Sequence, residues 1–348
     1  MPDQELNNSE LPFSRGRAAT LEEVAAMAGV SRSTASRVIN GGDRVSAKAQ
    51  AAVEQAIATL GYSPNRAARS LVTKRSDAIA LVIPEPDDLV LTDPFFARTL
   101  NGLAGVLDDR ELQLLLVMVR PGQHDRTARY LSTANVDGVI VASHHRDDAL
   151  DQVIANSNIP HVLIGRPFSL ANEVHYVDVD NFMGGMIAGQ HLMERGYRKI
   201  ATIAGPQDMA PGIDRLSGWK AALSDAGLDS HRIVPSGFST EAGVAATEEL
   251  LERFPDTDAI FCASDLIAVG TLRVLAQHNK RVPEDIAVVG FDDLGVATST
   301  TPLLTTVANP VSELARAAAS LLLRQIAGQA DPAEQPKITP RLVVRSTT

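Results

Sequence analysis

The chain has 348 residues, 45% of them apolar and 21% charged. That balance is ordinary for a globular protein, and the length exceeds the roughly 250–300 residues at which a single hydrophobic core stops growing. Cys262 is the single cysteine, which excludes an intramolecular disulfide framework and a Cys-rich metal site and fits a reducing compartment. No apolar run reaches the roughly 20 residues of a membrane span, and residues 1–10 lack the basic start and apolar stretch of a signal peptide. A cytoplasmic location, with no membrane contact, is expected.

The net charge of −10 conceals an asymmetry. Residues 14–75 hold ten Lys/Arg against four acids, a net +6, so the rest of the chain carries −16. A small basic segment on a large acidic body suggests a nucleic-acid reader attached to a unit with another task.

Residues 1–17 read as a disordered tail. Thr20 with Glu23 forms a capping box, opening a helix with Leu21, Val24, Ala25 and Ala28 on one face; Gly29 closes it. Ser31 caps a second helix over 32–40, and Ser46 a third that runs to Leu60 and stops at Gly61. The headpiece is thus 18–61. Residues 62–76 form a hinge whose helix is too short to hold without a packing partner. From 77 to 348 strands alternate with helices: 78–83, 112–119, 138–142, 161–165, 174–179, 199–204, 259–263 and 286–290 are the strand candidates. Alternation of this kind gives parallel sheets with covered faces, and the strand number calls for two α/β units with a cleft between them. Ligands bind such units beyond the C-terminal ends of the strands.

Residues 20–40 carry the DNA-reading pattern. A first helix crosses the phosphate backbone, a Gly-containing turn follows, and a second helix starts with polar side chains able to reach base edges. Arg32 and Ser33 stand at that start, where an Arg can bridge guanine O6 and N7. Thr20, Ser31, Thr34, Ser36 and Asn40 can hydrogen-bond phosphates, Arg37 can reach a base or a phosphate, and Lys48 suits a backbone contact.

Thr-Leu-x-x-Val-Ala, Ala-Gly-Val-Ser and Ser-Arg-Val-Ile-Asn in the headpiece, then Gly-Tyr-x-Pro-Asn and Ala-Arg-Ser-Leu, resemble the LacI/GalR family of repressors. The likeness continues through Arg215-Leu-Ser-Gly-Trp219, Cys262-Ala-Ser-Asp265 and Val289-Gly-Phe-Asp-Asp293. It implies an α/β fold with an all-α helix-turn-helix headpiece and a periplasmic-binding-protein-like core of two doubly wound parallel-sheet subdomains. It further implies Arg44 near the duplex, Asn65 and Ala68 in the hinge helix, and Leu71 as an apolar wedge in the minor groove. The implied effector contacts are Asp93, Phe95, Phe96, Arg166, Arg215, Phe238, Ser264, Asp265, Asp292 and Asn309. Carboxylates and Arg beside aromatic rings suit a polyol. Residues 77–86 with Asp93-Pro-Phe-Phe resemble the branch that answers to cellobiose or related β-glucosides; a purine effector is the alternative within the fold.

Two other classes stand beside this one. An enzyme on a doubly wound fold would show a phosphate-cradling Gly-rich loop or a Gly-x-Ser-x-Gly elbow, and the chain has neither. His144-His145 has no His or Cys at metal-ligand spacing. A sugar receptor without DNA binding would lack the basic headpiece. A headpiece reading a palindrome needs a twofold partner. With 338–344 read as a strand and no C-terminal heptad helix, a homodimer is expected rather than a tetramer.

Overall fold

The computed structural model describes residues 19–39, 45–62, 75–120, 124–131, 133, 136–146, 154, 157, 159–168, 174–331 and 334–348. The expected tail, Asn40, Arg44 and the hinge residues Asn65, Ala68 and Leu71 lie outside them. The chain forms two compact units, Met1–Arg75 and Ser76–Thr348.

In the first unit, α1 (Leu21–Met27), α2 (Arg32–Ile39) and α3 (Ala47–Leu60) enclose a small core of Val24, Ala25, Ala35, Val53 and Ala56. Each start is capped. The Thr20 hydroxyl accepts from the Glu23 amide while the Glu23 carboxylate accepts from the Thr20 amide, and Ser46 caps α3. A cap of this kind stabilises by about 1 kcal/mol, a useful share for a helix of seven residues. Gly29, at φ +63°, supplies the left-handed turn between α1 and α2.

The second unit has two lobes. Their elements, in chain order, are β1 (Ala78–Ile83), α4 (Asp87–Thr92), α5 (Pro94–Asp108), β2 (Gln113–Met118), α6 (His124–Tyr130), β3 (Gly138–Ala142), β4 (His161–Ile164), β5 (His175–Val179), α7 (Asn181–Glu194), β6 (Ile200–Ala204), α8 (Ala210–Asp225), β7 (Ile233–Pro235), α9 (Thr240–Arg253), β8 (Ala259–Cys262), α10 (Asp265–Gln277), β9 (Ala287–Asp292), β10 (Thr305–Ala308), α11 (Val311–Ile326), β11 (Lys337–Ile338) and β12 (Arg341–Val343). The sheets run β11-β5-β4-β3-β1-β2 and β12-β10-β9-β8-β6-β7; among the described residues all pairs are parallel except β10 with β12. β3, β6 and β8 are buried along their whole length. This is why β3 and β8 read as unbroken apolar runs rather than alternating ones, while β6 admits Thr202, whose hydroxyl donates to the Phe261 carbonyl.

The segment expected as one strand over 338–344 is two strands. Pro340 cannot donate a ladder hydrogen bond, and the chain passes from β11 in the first sheet to β12 in the second. The chain also crosses between lobes after β5 and after β10. α11 returns from the second crossing to pack Leu314, Ala315, Ala318, Ala319, Leu321 and Leu322 into the first lobe's core.

In the second lobe α7 and α8 lie against each other at backbone contact. A Cβ on Gly218 would fall 1.9 Å from the Phe182 carbonyl oxygen, and one on Gly185 2.0 Å from that of Arg215. Trp219 beside them is fully buried.

Candidate functional sites

On the headpiece, α2 begins with exposed side chains. Ser31 spends its oxygen locally: it accepts from the Thr34 amide at 3.1 Å and bonds the hydroxyls of Ser33 and Thr34. Thr20 is likewise engaged as a cap. Arg32, Ser33, Arg37 and Lys48 are exposed, Thr34 and Ser36 half-buried. Arg32 pairs with Glu22 of α1 at 2.7 Å, but the two side chains are 71% and 61% exposed. Such a pair is worth at most about 1 kcal/mol and yields readily to a phosphate or a base edge.

Between the lobes of the second unit lies a cleft of about 280 Å³. Its walls are the segments that follow β1, β3, β4 and β5 on one side and β6, β7, β8, β9 and β10 on the other. Arg215 of α8, 5% exposed, forms the floor. Its guanidinium donates to Asn181 Oδ1 at 2.9 Å and to the Ala263 carbonyl at 2.6 Å, and stands 3.5 Å from Asp292. It also lies 3.6 Å from the centre of the Phe291 ring. Burial lowers the Arg215 pKa and raises that of Asp292, and each opposes the other's shift by its charge. Asp292, at φ +119°, also accepts from Asn309 Nδ2 at 3.3 Å. Asp93 caps α5 through the Phe95 amide and is pushed up to about 6, chiefly by burial.

The cleft brings together Asp93, Phe95, Phe96, Arg215, Phe238, Ser264, Asp292 and Asn309. The Ser264 hydroxyl caps α10 by accepting from the Ile267 amide, and Phe96 also belongs to the core. Arg166 and Asp265 do not line it. Arg166 makes a two-pronged pair with Asp214 at 2.9–3.3 Å. Asp265 is buried against Gly290, accepting from the Thr306 hydroxyl at 2.6 Å and the Asp293 amide at 2.8 Å; burial pushes it up to about 8. Glu85, Ser143, His145, Asp178 and Asn181 line the cleft as well and are not among the effector contacts the family likeness implies. Their one available signal was position: each stands within three residues of the end of an expected first-lobe strand.

Among the described residues no cluster of His, Cys, Asp and Glu is arranged to hold a metal ion, and no helix is long and apolar enough to cross a membrane.

A helix-turn-helix headpiece and a two-lobed core, whose largely apolar cleft at the strand ends holds an arginine and several carboxylates, define a DNA-reading regulator with a ligand-sensing body. Residues 20–65 match the family described as bacterial regulatory proteins, lacI family, and residues 190–348 the periplasmic binding protein-like domain. The chain belongs to the LacI family. It is 46% identical over 337 residues to the HTH-type transcriptional regulator CelR of Thermobifida fusca, covering 96% of this chain and 99% of that protein. Among solved structures it resembles a complex of the regulator CelR with cellobiose, at a TM-score of 0.77 and 44% identity over 95% of this chain and 100% of that one. It also resembles a Lac repressor dimer bound to operator and the anti-inducer ONPF, at a TM-score of 0.86 and 28% identity over 95% and 99%.

Proposed function

We propose that this protein is a homodimeric, cytoplasmic transcriptional repressor whose grip on a palindromic operator is set by a small sugar, cellobiose or a related β-glucoside, held in the core cleft. It acts as a switch rather than an enzyme. The observation that carries the reading is the cleft itself: a buried guanidinium and several carboxylates beside Phe95 and Phe238, in a chain similar over nearly its whole length to a regulator solved with cellobiose. Carboxylates and an Arg hydrogen-bond sugar hydroxyls, and a ring covers the apolar sugar face. The assigned division is tail 1–17, headpiece 18–61, hinge 62–76 and core 77–348. A ligand can move operator affinity only through its own preference between two states of the core. The test is a gel-shift assay on the operator with cellobiose titrated in, and ribose and hypoxanthine as comparisons. Cellobiose alone is expected to change the shift; a response to hypoxanthine instead would replace the sugar assignment.

On the DNA side, Arg32 and Ser33 read bases, with Arg37 beside them, while Thr20, Ser31, Thr34, Ser36, Asn40, Arg44 and Lys48 hold the backbone. Arg32→Ala is expected to cost about 1–3 kcal/mol and to relax preference at one half-site position. Lys48→Ala is expected to weaken specific and random DNA alike and to flatten the salt dependence. Competition binding at two salt concentrations separates the two roles; equal losses on both DNAs for Arg32→Ala would remove it from base reading.

A further inference from the structure

At one end of the cleft a single imidazole joins the two lobes. His145 follows β3 in the first lobe. Its Nε2 lies 3.0 Å from Glu85 Oε1, in the segment after β1, and its Nδ1 lies 2.7 Å from Asp208 Oδ2, in the segment after β6 of the second lobe. Both acceptors are carboxylates, so the ring fills both positions as a donor only when it carries its second proton. The two carboxylates raise its pKa from the usual 6.5 to about 9, with Glu85 the larger contributor and burial acting in opposition. One residue on, the Arg146 amide donates to the Asp208 carbonyl at 2.7 Å, a second bond between the lobes at the same place.

Glu85 is 7% exposed and lines the cleft. The same Oε1 that meets His145 also accepts from the Ser143 hydroxyl at 2.6 Å, so two donors from the turn after β3 fix one oxygen of the carboxylate. Ser143 itself sits at φ +62°, in the left-handed region that non-glycine residues seldom adopt. The arrangement holds a charged acceptor in the sugar cleft and fastens the opposite lobe with the same ring.

We propose that His145 is a positioning residue that ties effector recognition to lobe closure: it orients Glu85 as an acceptor for sugar hydroxyls and clasps the second lobe through Asp208. The proposal rests on the sugar reading only for the recognition half; the clasp is a property of the ligand-free chain. The groups facing the ring are Glu85 from the β1 side and Asp208 from the β6 side, with Arg146 adjacent in its own turn. A charged His145 favours the closed, bonded arrangement. The clasp is therefore complete at neutral pH and is lost as pH rises through about 9, where the ring gives up the proton that one carboxylate requires.

The test uses the full-length protein. Hydrogen exchange of the Arg146 amide reports the interlobe bond without any sugar present, and the amides of β3 and β6 serve as internal references. His145→Ala and Asp208→Ala are each expected to speed Arg146 exchange at least tenfold, with the reference strands unchanged and the double variant no faster than either single. Calorimetry with cellobiose is expected to show at least a tenfold weaker affinity for His145→Ala. The wild-type affinity should fall between pH 8 and 10, and that fall should be absent in the variant. Unchanged Arg146 exchange in Asp208→Ala, a substitution at a surface carboxylate that leaves the core intact, overturns the clasp. A pH-independent wild-type affinity overturns the positioning role. Should wild-type protein bind no cellobiose at any pH, the sugar reading fails while the exchange experiment still decides the clasp. Should His145→Ala lose protection throughout β3, the variant has misfolded and Asp208→Ala decides.

Discussion

Replacing Arg215 with alanine is expected to abolish the cellobiose response of operator binding, a loss of at least a hundredfold in sugar affinity, and to lower the stability of the core by about 3–5 kcal/mol. The two effects have one origin. The guanidinium is the buried cation among the cleft's carboxylates, and its removal strands the Asn181 amide oxygen, the Ala263 carbonyl and Asp292 together. Breaking a buried charge pair costs far more than the pair contributes, because the surviving charge has already been taken out of water. Arg215→Lys keeps the charge but not the planar fork that reaches Asn181 and Ala263 at once. It is expected to recover most of the stability and little of the sugar response. Urea denaturation alongside a gel-shift titration separates these outcomes. An alanine variant that folds and still answers to cellobiose would place the sugar elsewhere.

Gly218→Ala is expected to destabilise the second lobe by about 3 kcal/mol, although alanine is the better helix former by about 1 kcal/mol. The added methyl would lie 1.9 Å from the Phe182 carbonyl oxygen, and a backbone atom cannot step aside as a side chain can. α7 and α8 must separate, and overpacking of this kind costs about 1–3 kcal/mol even where the neighbours are flexible. Because α8 carries Arg215 and α7 begins with Asn181, the separation also loosens the floor of the cleft. A thermal melt compares the variant with wild type; equal midpoints would mean that the helices approach less closely than this.

Much of this architecture is legible along the chain, for a physical reason. Strands buried on both faces are apolar almost throughout, so β1, β3 and β8 declare themselves as runs bounded by turn residues. β10 does not, because two of its four residues are threonines whose hydroxyls are satisfied inside: Thr306 donates to Asp265. The same bond explains why Asp265 reads as a cleft residue in sequence and is buried behind the wall in space. Arg166 illustrates a second limit. It follows β4 at the position expected of a ligand contact, yet its partner Asp214 lies 48 residues away on the opposite lobe, and nothing local announces the pair. His145 is hidden likewise, since its two carboxylates are 60 and 63 residues distant in opposite directions along the chain. Arg215 and Asp292, unlike Arg166 and His145, stand in motifs that carry the family likeness, and the cleft contains both.

The three passages of chain between the lobes have a consequence for how the molecule comes into being. Neither lobe is a continuous stretch: the first is assembled from residues before α7 together with α11 and β11, the second from residues after β5 together with β12. No single cut can release either lobe whole. During synthesis the sheet of β1–β5 leaves the ribosome well before α11, whose leucines and alanines cover one of its faces. That face stays uncovered until the second lobe has been made as well, so the two halves must complete together. Pairings this distant in sequence are slow to form, and the nascent core passes through a stage with apolar surface open to other chains. The two-lobed body therefore folds as one interleaved object.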